Sequence, residues 1–577
     1  MTSSIDVFQI QGLNDADIQS DMTLRIIKDV NVKTNTALAS LANLPTDTSS
    51  LITTVSTLVL ETTKLKAYNT INVKEYGATG NGTTDDTTSI QSAITVLANE
   101  KAYLFFPCGT YKISSTLLIE NKNYLTVVGD GANILCNFSG SSEISGFKIS
   151  NCVSPMIGEG IVLHCVNGGL SDSRGITATG LHNLNLNKLR VYGGFKYGIY
   201  LANTINQRLT NLVSECVVDS STYGIYLFNN ASDGGGAEYT ELANCRVSNC
   251  STCGCTILCG NVSVTGGCYD WNGIGIRVIG GFTNYNPDHG KLTGVTCNHN
   301  YNAGIVLSQL ISGFAIIGCQ IWANNSGTYN DAIATNARSF AYGIYMEDVM
   351  QVIVSGCHLA VNKVNMGIDG WVNSTITNNI FFSNDVTVVL HIWEPGNNNP
   401  RYGSLNKNNI ISNNVFTGGL TAGAGANIYE QNTMGSTNRN IRIKNNIGST
   451  NNTWFYASAS TGTYNLGRHD TYIIDVNNVY CLTNPLSTNP ADQAVNIIVP
   501  PYLMGLEFSI YFRNCALNRF TWIRFATNST QTPDIELNTS GAVVWFTGYS
   551  SLRICNKPKI SFIPYGNDNN SWFIIDR

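Results

Sequence analysis

Glu347 and Asp369 are the residues of this chain best placed to do chemistry. Each follows a Gly-Ile turn, in Gly343-Ile-Tyr-Met-Glu and Gly367-Ile-Asp, so the repeat that carries them sets them side by side. Cleavage of a glycosidic bond needs one carboxylic acid to protonate the leaving oxygen and one carboxylate to serve as nucleophile or base. Glu347 is assigned as the acid because Trp371 stands beside it in the repeat frame, and Asp369 as its partner beside Tyr345. Walls from Tyr345, Trp371 and Trp393 favour the uncharged form of the acid, Arg277 or His391 stabilises the charged partner, and Tyr226 extends the binding surface. Sheet geometry puts the two residues diagonally, with Cα atoms roughly 7–8 Å apart, which fits either a retaining or an inverting site.

A second group, Asp233 and Glu238 in the loop Asn229–Glu238 together with Glu241, is the alternative acid site. Asp270, Asp288 and Asp348 are weaker candidates. The seven histidines are scattered, and Gly-x-Ser-x-Gly, His-Glu-x-x-His and dinucleotide fingerprints are absent. Cys250 and Cys253 have metal-ligand spacing, but the second Cys-x-x-Cys of a zinc ribbon is missing, so neither metal nor cofactor is expected. Lyase chemistry, with His391 or Tyr345 as base and Arg277 or Lys363 as neutraliser, is a rival reading. Glycan binding without cleavage is another.

The elements that carry these residues repeat. Glycine turns open short strands at Gly198, Gly224, Gly254, Gly275, Gly304, Gly343 and Gly367, at intervals of 26, 30, 21, 29, 39 and 24 residues. That is the signature of a solenoid with unequal loops. After each turn the residues alternate, sending Ile199, Leu201, Ile225, Leu227, Ile344 and Met346 to a core face and their neighbours to solvent. Short strands joined by Gly, Asn and Ser turns, with no helix between them, predict an all-β fold, a parallel β-helix. The long loop 324–340, with Asp331 and Arg338, overhangs the part of the coil that holds Glu347 and Asp369, and the loop 229–238 lies lower down.

Composition agrees. Charged residues are only 12%, glycines number 54, and the net charge of −5 with no basic cluster argues against a nucleic-acid partner. The 17 cysteines are an odd number in a long chain. Cys216, Cys245, Cys268, Cys319 and Cys357 recur at similar points of successive rungs and read as a buried column of thiols. Neither a signal sequence nor an apolar run of 18 residues is evident, so folding in a cytosol and no membrane partner are expected.

Residues 1–70 read as a helical segment with apolar stripes around Leu24–Leu41 and Leu51–Leu65 and no private core. Residues 71–453 are the β-helix, of which 71–100 form an opening strand and a capping helix. In that helix Ile90, Ala93, Ile94 and Leu97 share a face and Asp85 or Asp86 is the cap. Residues 454–577 read as a C-terminal β-sandwich, where Trp522, Trp545 and Trp572 are core residues or sugar platforms.

The string Tyr76-Gly-Ala-Thr-Gly-Asn-Gly-Thr-Thr-Asp-Asp-Thr-Thr-Ser-Ile-Gln-Ser-Ala-Ile94, with Leu104-Phe-Phe-Pro-Cys-Gly-Thr-Tyr111, resembles the opening of pectate-lyase-like β-helix proteins. With its helical N-terminus and Asn-rich body, the whole chain resembles bacteriophage tail spikes, nearest to the capsule depolymerases of short-tailed Klebsiella phages. The resemblance implies a right-handed coil and a homotrimer aided by the C-terminal domain. It also implies attachment through the N-terminus to a virion tail or another spike, and endo-acting hydrolysis of bacterial capsular polysaccharide outside the host cell.

Overall fold

The computed structural model describes residues 70–448, apart from 141, 168–170, 182, 203–210, 231–234, 281–287, 325–340, 383–387, 394–407, 418–425, 433–440 and 445, together with strands beyond 448. The expected helical segment at the N-terminus lies outside the described residues, as do Asp233 and the overhanging loop with Asp331 and Arg338.

The chain folds as a right-handed parallel β-helix. Each rung gives one strand to each of three sheets. The first sheet has fourteen strands from Thr70–Asn72 to Ile441–Lys444, and the second has fourteen from Asn81–Asp85 to Ile447–Gly448. The third starts at Leu117–Glu120 and holds the longest strands, Ala303–Ser312, Tyr342–Met350 and Val364–Val372. Inward residues of all three sheets form one continuous core, including Ile199, Ile225, Ile276, Ile305, Ile344 and Ile368.

Close approach explains the turn glycines better than backbone angle does. A Cβ on Gly254 would lie 2.7 Å from the Gly275 carbonyl oxygen, and one on Gly304 would lie 2.7 Å from that of Gly343. The abundant asparagines have an equally specific use. Asn324 Oδ1 accepts from the backbone N–H of Asn300, its Nδ2 donates to the Cys297 carbonyl, and Asn362 Oδ1 accepts from Asn324 in turn. Asn379, Asn414 and Asn446 repeat the pattern at another corner. Buried backbone groups at each bend are thereby satisfied rung to rung.

The open N-terminal end of the core is closed by the helix Thr87–Val96, which buries Ile90, Ala93 and Ile94. Asp86 occupies the cap position without making a side-chain cap bond. Its carboxylate instead accepts from the N–H groups of Thr79 and Gly80, at 2.7 and 3.0 Å, pinning the glycine turn. Asp85 Oδ1 accepts from the Thr87 N–H.

The thiol column needs one correction. Cys216, Cys245, Cys319 and Cys357 are buried, but Cys268 is half-buried and pairs with Arg246 at the start of its strand in the second sheet. Gly267 takes the column position, because a Cβ there would meet the Cys245 carbonyl at 2.3 Å. Among the described residues no group of three His, Cys, Asp or Glu side chains could hold a metal ion.

Beyond residue 453 the third sheet continues in parallel through Phe455–Ser458, Thr471–Asp475 and Phe508–Arg513, then adds Lys559–Pro564 and Trp572–Ile575 antiparallel. A separate sheet joins Gln493–Ile498, Trp522–Ala526, Ile535–Asn538, Val543–Phe546 and Tyr549–Leu552.

Candidate active site

The outward face of the third sheet collects the candidate residues in two columns. One runs Tyr200, Tyr226, Thr256, Arg277, Val306, Tyr345, Gly367 and His391. The other runs Ile279, Ser308, Glu347, Asp369 and Trp393. Glu347 and Asp369 are therefore direct ladder partners, not diagonal ones, and their Cα atoms sit one strand spacing apart, about 4.8 Å.

The difference from the diagonal expectation is one of register, because Gly367 is not the counterpart of Gly343. The ladder partner of Gly343 is Asn365, since Tyr342 pairs with Val364 and Ile344 with Met366. Asn365 replaces the turn glycine and joins the amide ladder through Asn362 and the Phe382 carbonyl. The Gly-Ile pair at 367 falls two residues later, which preserves alternation while shifting the column.

Trp371 also lies elsewhere than the repeat frame predicts. Asp348 and Gly370 take left-handed backbone conformations, with φ of 53° and 85°. Each reverses the facing of the residues after it, so Val349 and its partner Trp371 turn into the core. Trp371 is fully buried there, and Asn409 Nδ2 donates to its carbonyl at 2.8 Å. It is no wall of the outer face. Its indole N–H has no hydrogen-bond acceptor among the described residues.

Nor is that face open to solvent along its length. Glu347 is 3% exposed, Asp369 2%, Arg277 5% and Tyr345 0%. Tyr342, Tyr345, Val306, Ala303, Ile274, Cys253 and Val364 form a second apolar cluster outside the coil, with Tyr223 against it. The two carboxyl groups thus lie in a shielded, low-dielectric setting. Arg277 is near enough to Tyr223, Tyr226 and Cys253 to favour their ionised forms, although burial dominates and raises all three. His391 and Trp393 stand on Val388–Trp393 in the two columns, and their side chains lie outside the described residues.

The other acidic candidates are dispersed. Glu241 is on the first sheet, paired with Leu212 and Ser263, and Glu238 is half-buried in the turn before it. Asp270 is on the second sheet, where its Oδ1 accepts from the Asn298 N–H. Burial raises its carboxyl above the usual range. Asp288 accepts from the Ser312 N–H. None of these joins the pair on the third sheet.

At the other end of the same face the outward tyrosines belong to an aromatic ladder, whose members Tyr197 and Tyr223 sequence reasoning missed. Tyr197 stacks on Tyr223 at 5.3 Å, Tyr200 on Tyr226 at 5.6 Å, and Phe228 lies 5.9 Å from Tyr200. The Arg174 guanidinium covers the Tyr200 ring at 4.0 Å and is held by Asp172 at 3.0 Å and Glu143 at 3.2 Å. The repeated Tyr-Gly-Ile-Tyr at 197 and 223 was the available signal. Burial pushes the Tyr200 phenol up to about 12, so at ordinary pH it is a protonated hydroxyl able to donate.

Residues 70–328 match the model of the family described as rhamnogalacturonase A/epimerase, pectate lyase-like. Among curated proteins, a glucan 1,3-beta-glucosidase of Cochliobolus carbonum is 43% identical over 49 residues, 8% of this chain and 6% of that protein. The chain thus spans only a small part of that relative. Among solved structures, the A-module of the Azotobacter vinelandii mannuronan C-5 epimerase AlgE4 is 16% identical, with a TM-score of 0.39, covering 69% of this chain and 98% of that one. The Dettilon tailspike protein is 15% identical, with a TM-score of 0.41, covering 67% and 68%.

Proposed function

We propose that this protein is a phage tail spike that binds and depolymerises bacterial capsular polysaccharide by endo-glycosidic hydrolysis. The observation that carries the reading is the ladder pairing of Glu347 and Asp369 on the shielded outer face of a polysaccharide-processing type of β-helix. Glu347 protonates the glycosidic oxygen. Asp369, directly opposite, is the nucleophile. One strand spacing between Cα atoms suits the carboxyl separation of about 5 Å used by retaining enzymes, rather than the wider gap that admits a water.

Tyr226, His391 and Trp393 would meet the polymer, with Arg277 and His391 supporting the ionised partner, while Tyr345, which has no exposed surface, packs behind them. The homotrimer, the N-terminal attachment to a virion tail or another spike, the trimerising C-terminal β-sandwich over 454–577 and the location in a virion belong to the same proposal. They are supported by the tail-spike resemblance of the sequence.

The test is digestion of purified Klebsiella capsular polysaccharides, read by new reducing ends and by mass analysis of the products. Hydrolysis predicts saturated oligosaccharides of whole repeat units. Unsaturated products absorbing in the ultraviolet would instead establish β-elimination, and binding without products would make the protein an adhesin.

A further inference from the structure

We propose that the ladder of Tyr197, Tyr200, Tyr223 and Tyr226 is a second carbohydrate-binding shelf, which grips hydroxyl-rich sugar units of a polymer through phenol hydroxyls and ring edges. The proposal rests on the reading of this face as a polysaccharide groove. The partners of each stack stand on neighbouring strands, Tyr197 opposite Tyr223 and Tyr200 opposite Tyr226. Their flat faces are therefore occupied by one another, with interplanar angles of 18° and 7°. Edges and hydroxyls are what remain for a ligand. All four tyrosines are half-buried, whereas Glu347, Asp369 and Arg277 further along are nearly enclosed.

Packing alone does not account for the residue type. Phe228 fills the same stack without a hydroxyl, lying 6.3 Å from Tyr226. The shelf is also rigid before any ligand arrives, because Arg174 caps Tyr200 and is itself fixed by Asp172 and Glu143. Lys196 Nζ lies 5.2 Å from the Tyr197 ring centre. Preformed polar edges lose little conformational entropy on binding. With Arg174 matched by two carboxylates and Lys196 as the remaining cation at its rim, the shelf offers hydroxyls more than charge, which suits hydroxyl-rich sugars.

Position gives the shelf its consequence. From Tyr226 to the strand of Glu347 there are four strand spacings, roughly 19 Å at about 4.8 Å each. A polymer several sugars long reaches both places, and a short oligosaccharide does not. The shelf therefore favours cleavage within long chains.

The experiment uses the full chain carrying Glu347→Gln and Asp369→Asn, so that binding is read without cleavage. Affinity electrophoresis is run through gels containing purified Klebsiella capsular polysaccharides. Adding Tyr200→Phe and Tyr226→Phe keeps the stacks and removes two hydroxyls. Retardation by the polymer should weaken about tenfold, since each lost hydrogen bond contributes a few-fold. The sedimentation mass and unfolding temperature should stay unchanged. Unaltered retardation overturns the shelf, as does an altered mass, which would make the ladder a contact between copies. Retardation without cleavage by the unsubstituted protein would sink the hydrolase reading and leave the shelf standing. If no polymer retards either protein, both fall.

Discussion

Glu347 faces Asp369 across one step of a parallel ladder, each nearly enclosed on the outer face of the third sheet. Two acids at adjoining positions in a shielded site are costly for a fold to keep unless they share a proton, a task or a cationic partner. Glu347→Gln and Asp369→Asn should each lower kcat by at least about a hundredfold, the scale of losing a general acid or nucleophile. Unfolding temperature should change little, because the amides are near-isosteric and remove buried charge. If hydrolysis retains configuration, proton NMR of the first product will show the anomer of the substrate linkage. Inversion would contradict the assignment of Asp369 as nucleophile.

Trp371 separates two readings of this region. As an outer-face residue it would affect substrate binding with little effect on stability. Buried in the coil, it should behave as core: Trp371→Ala should cost about 3–5 kcal/mol, seen as a large fall in unfolding temperature. Trp371→Phe should recover most of that loss, and KM of the folded variants should stay near normal. A stable Trp371→Ala variant with a raised KM would return the indole to the groove.

The difference between what the sequence disclosed and what it hid has a physical pattern. Alternation after each glycine turn was legible because one face must bury Ile199, Ile225 and Ile344 and the other must not. The column of Tyr226, Arg277, Val306 and Tyr345 followed from it. What was not legible was any departure from the repeat. Asn365 took over a glycine's place through side-chain amide bonding, and left-handed residues at 348 and 370 reversed the facing of Trp371. A period-two argument cannot see a residue that turns the chain over. Shielding of the outer face was hidden as well, since alternation reports which side faces the coil and not what lies across the other side.

Asp86 should matter more than an ordinary helix cap. Its carboxylate accepts from Thr79 N–H, Thr79 Oγ1 and Gly80 N–H, while only 1% exposed. Asp86→Ala leaves two backbone donors without that acceptor and should destabilise the capped end by about 1–3 kcal/mol. Hydrogen exchange should accelerate first at Thr79, Gly80 and the helix Thr87–Val96. Uniform acceleration through all rungs, with no local excess there, would show that the cap and coil open as one unit.

The buried thiols give the fold an alkaline limit. Burial pushes Cys165 and Cys253 up to about 11 and Cys250 up to about 12, and holds Cys136, Cys255 and Cys297 well above the usual thiol range. In an unfolded chain these groups ionise near 8.5. Their folded values are raised, so the unfolded state releases protons first as pH climbs. The stabilising contribution is whole below about pH 8.5 and is lost progressively towards the folded values. Denaturation midpoints should therefore begin to fall at about pH 8.5 and go on falling towards the folded values. Cys255→Ala should flatten that slope, at some cost in stability at neutral pH. In the native protein at pH 8, iodoacetamide should modify exposed Cys108 and spare Cys136, Cys255 and Cys297, as read by peptide mass mapping. Equal labelling of Cys108 and Cys255 would mean that the coil opens at this position far more readily than its packing allows.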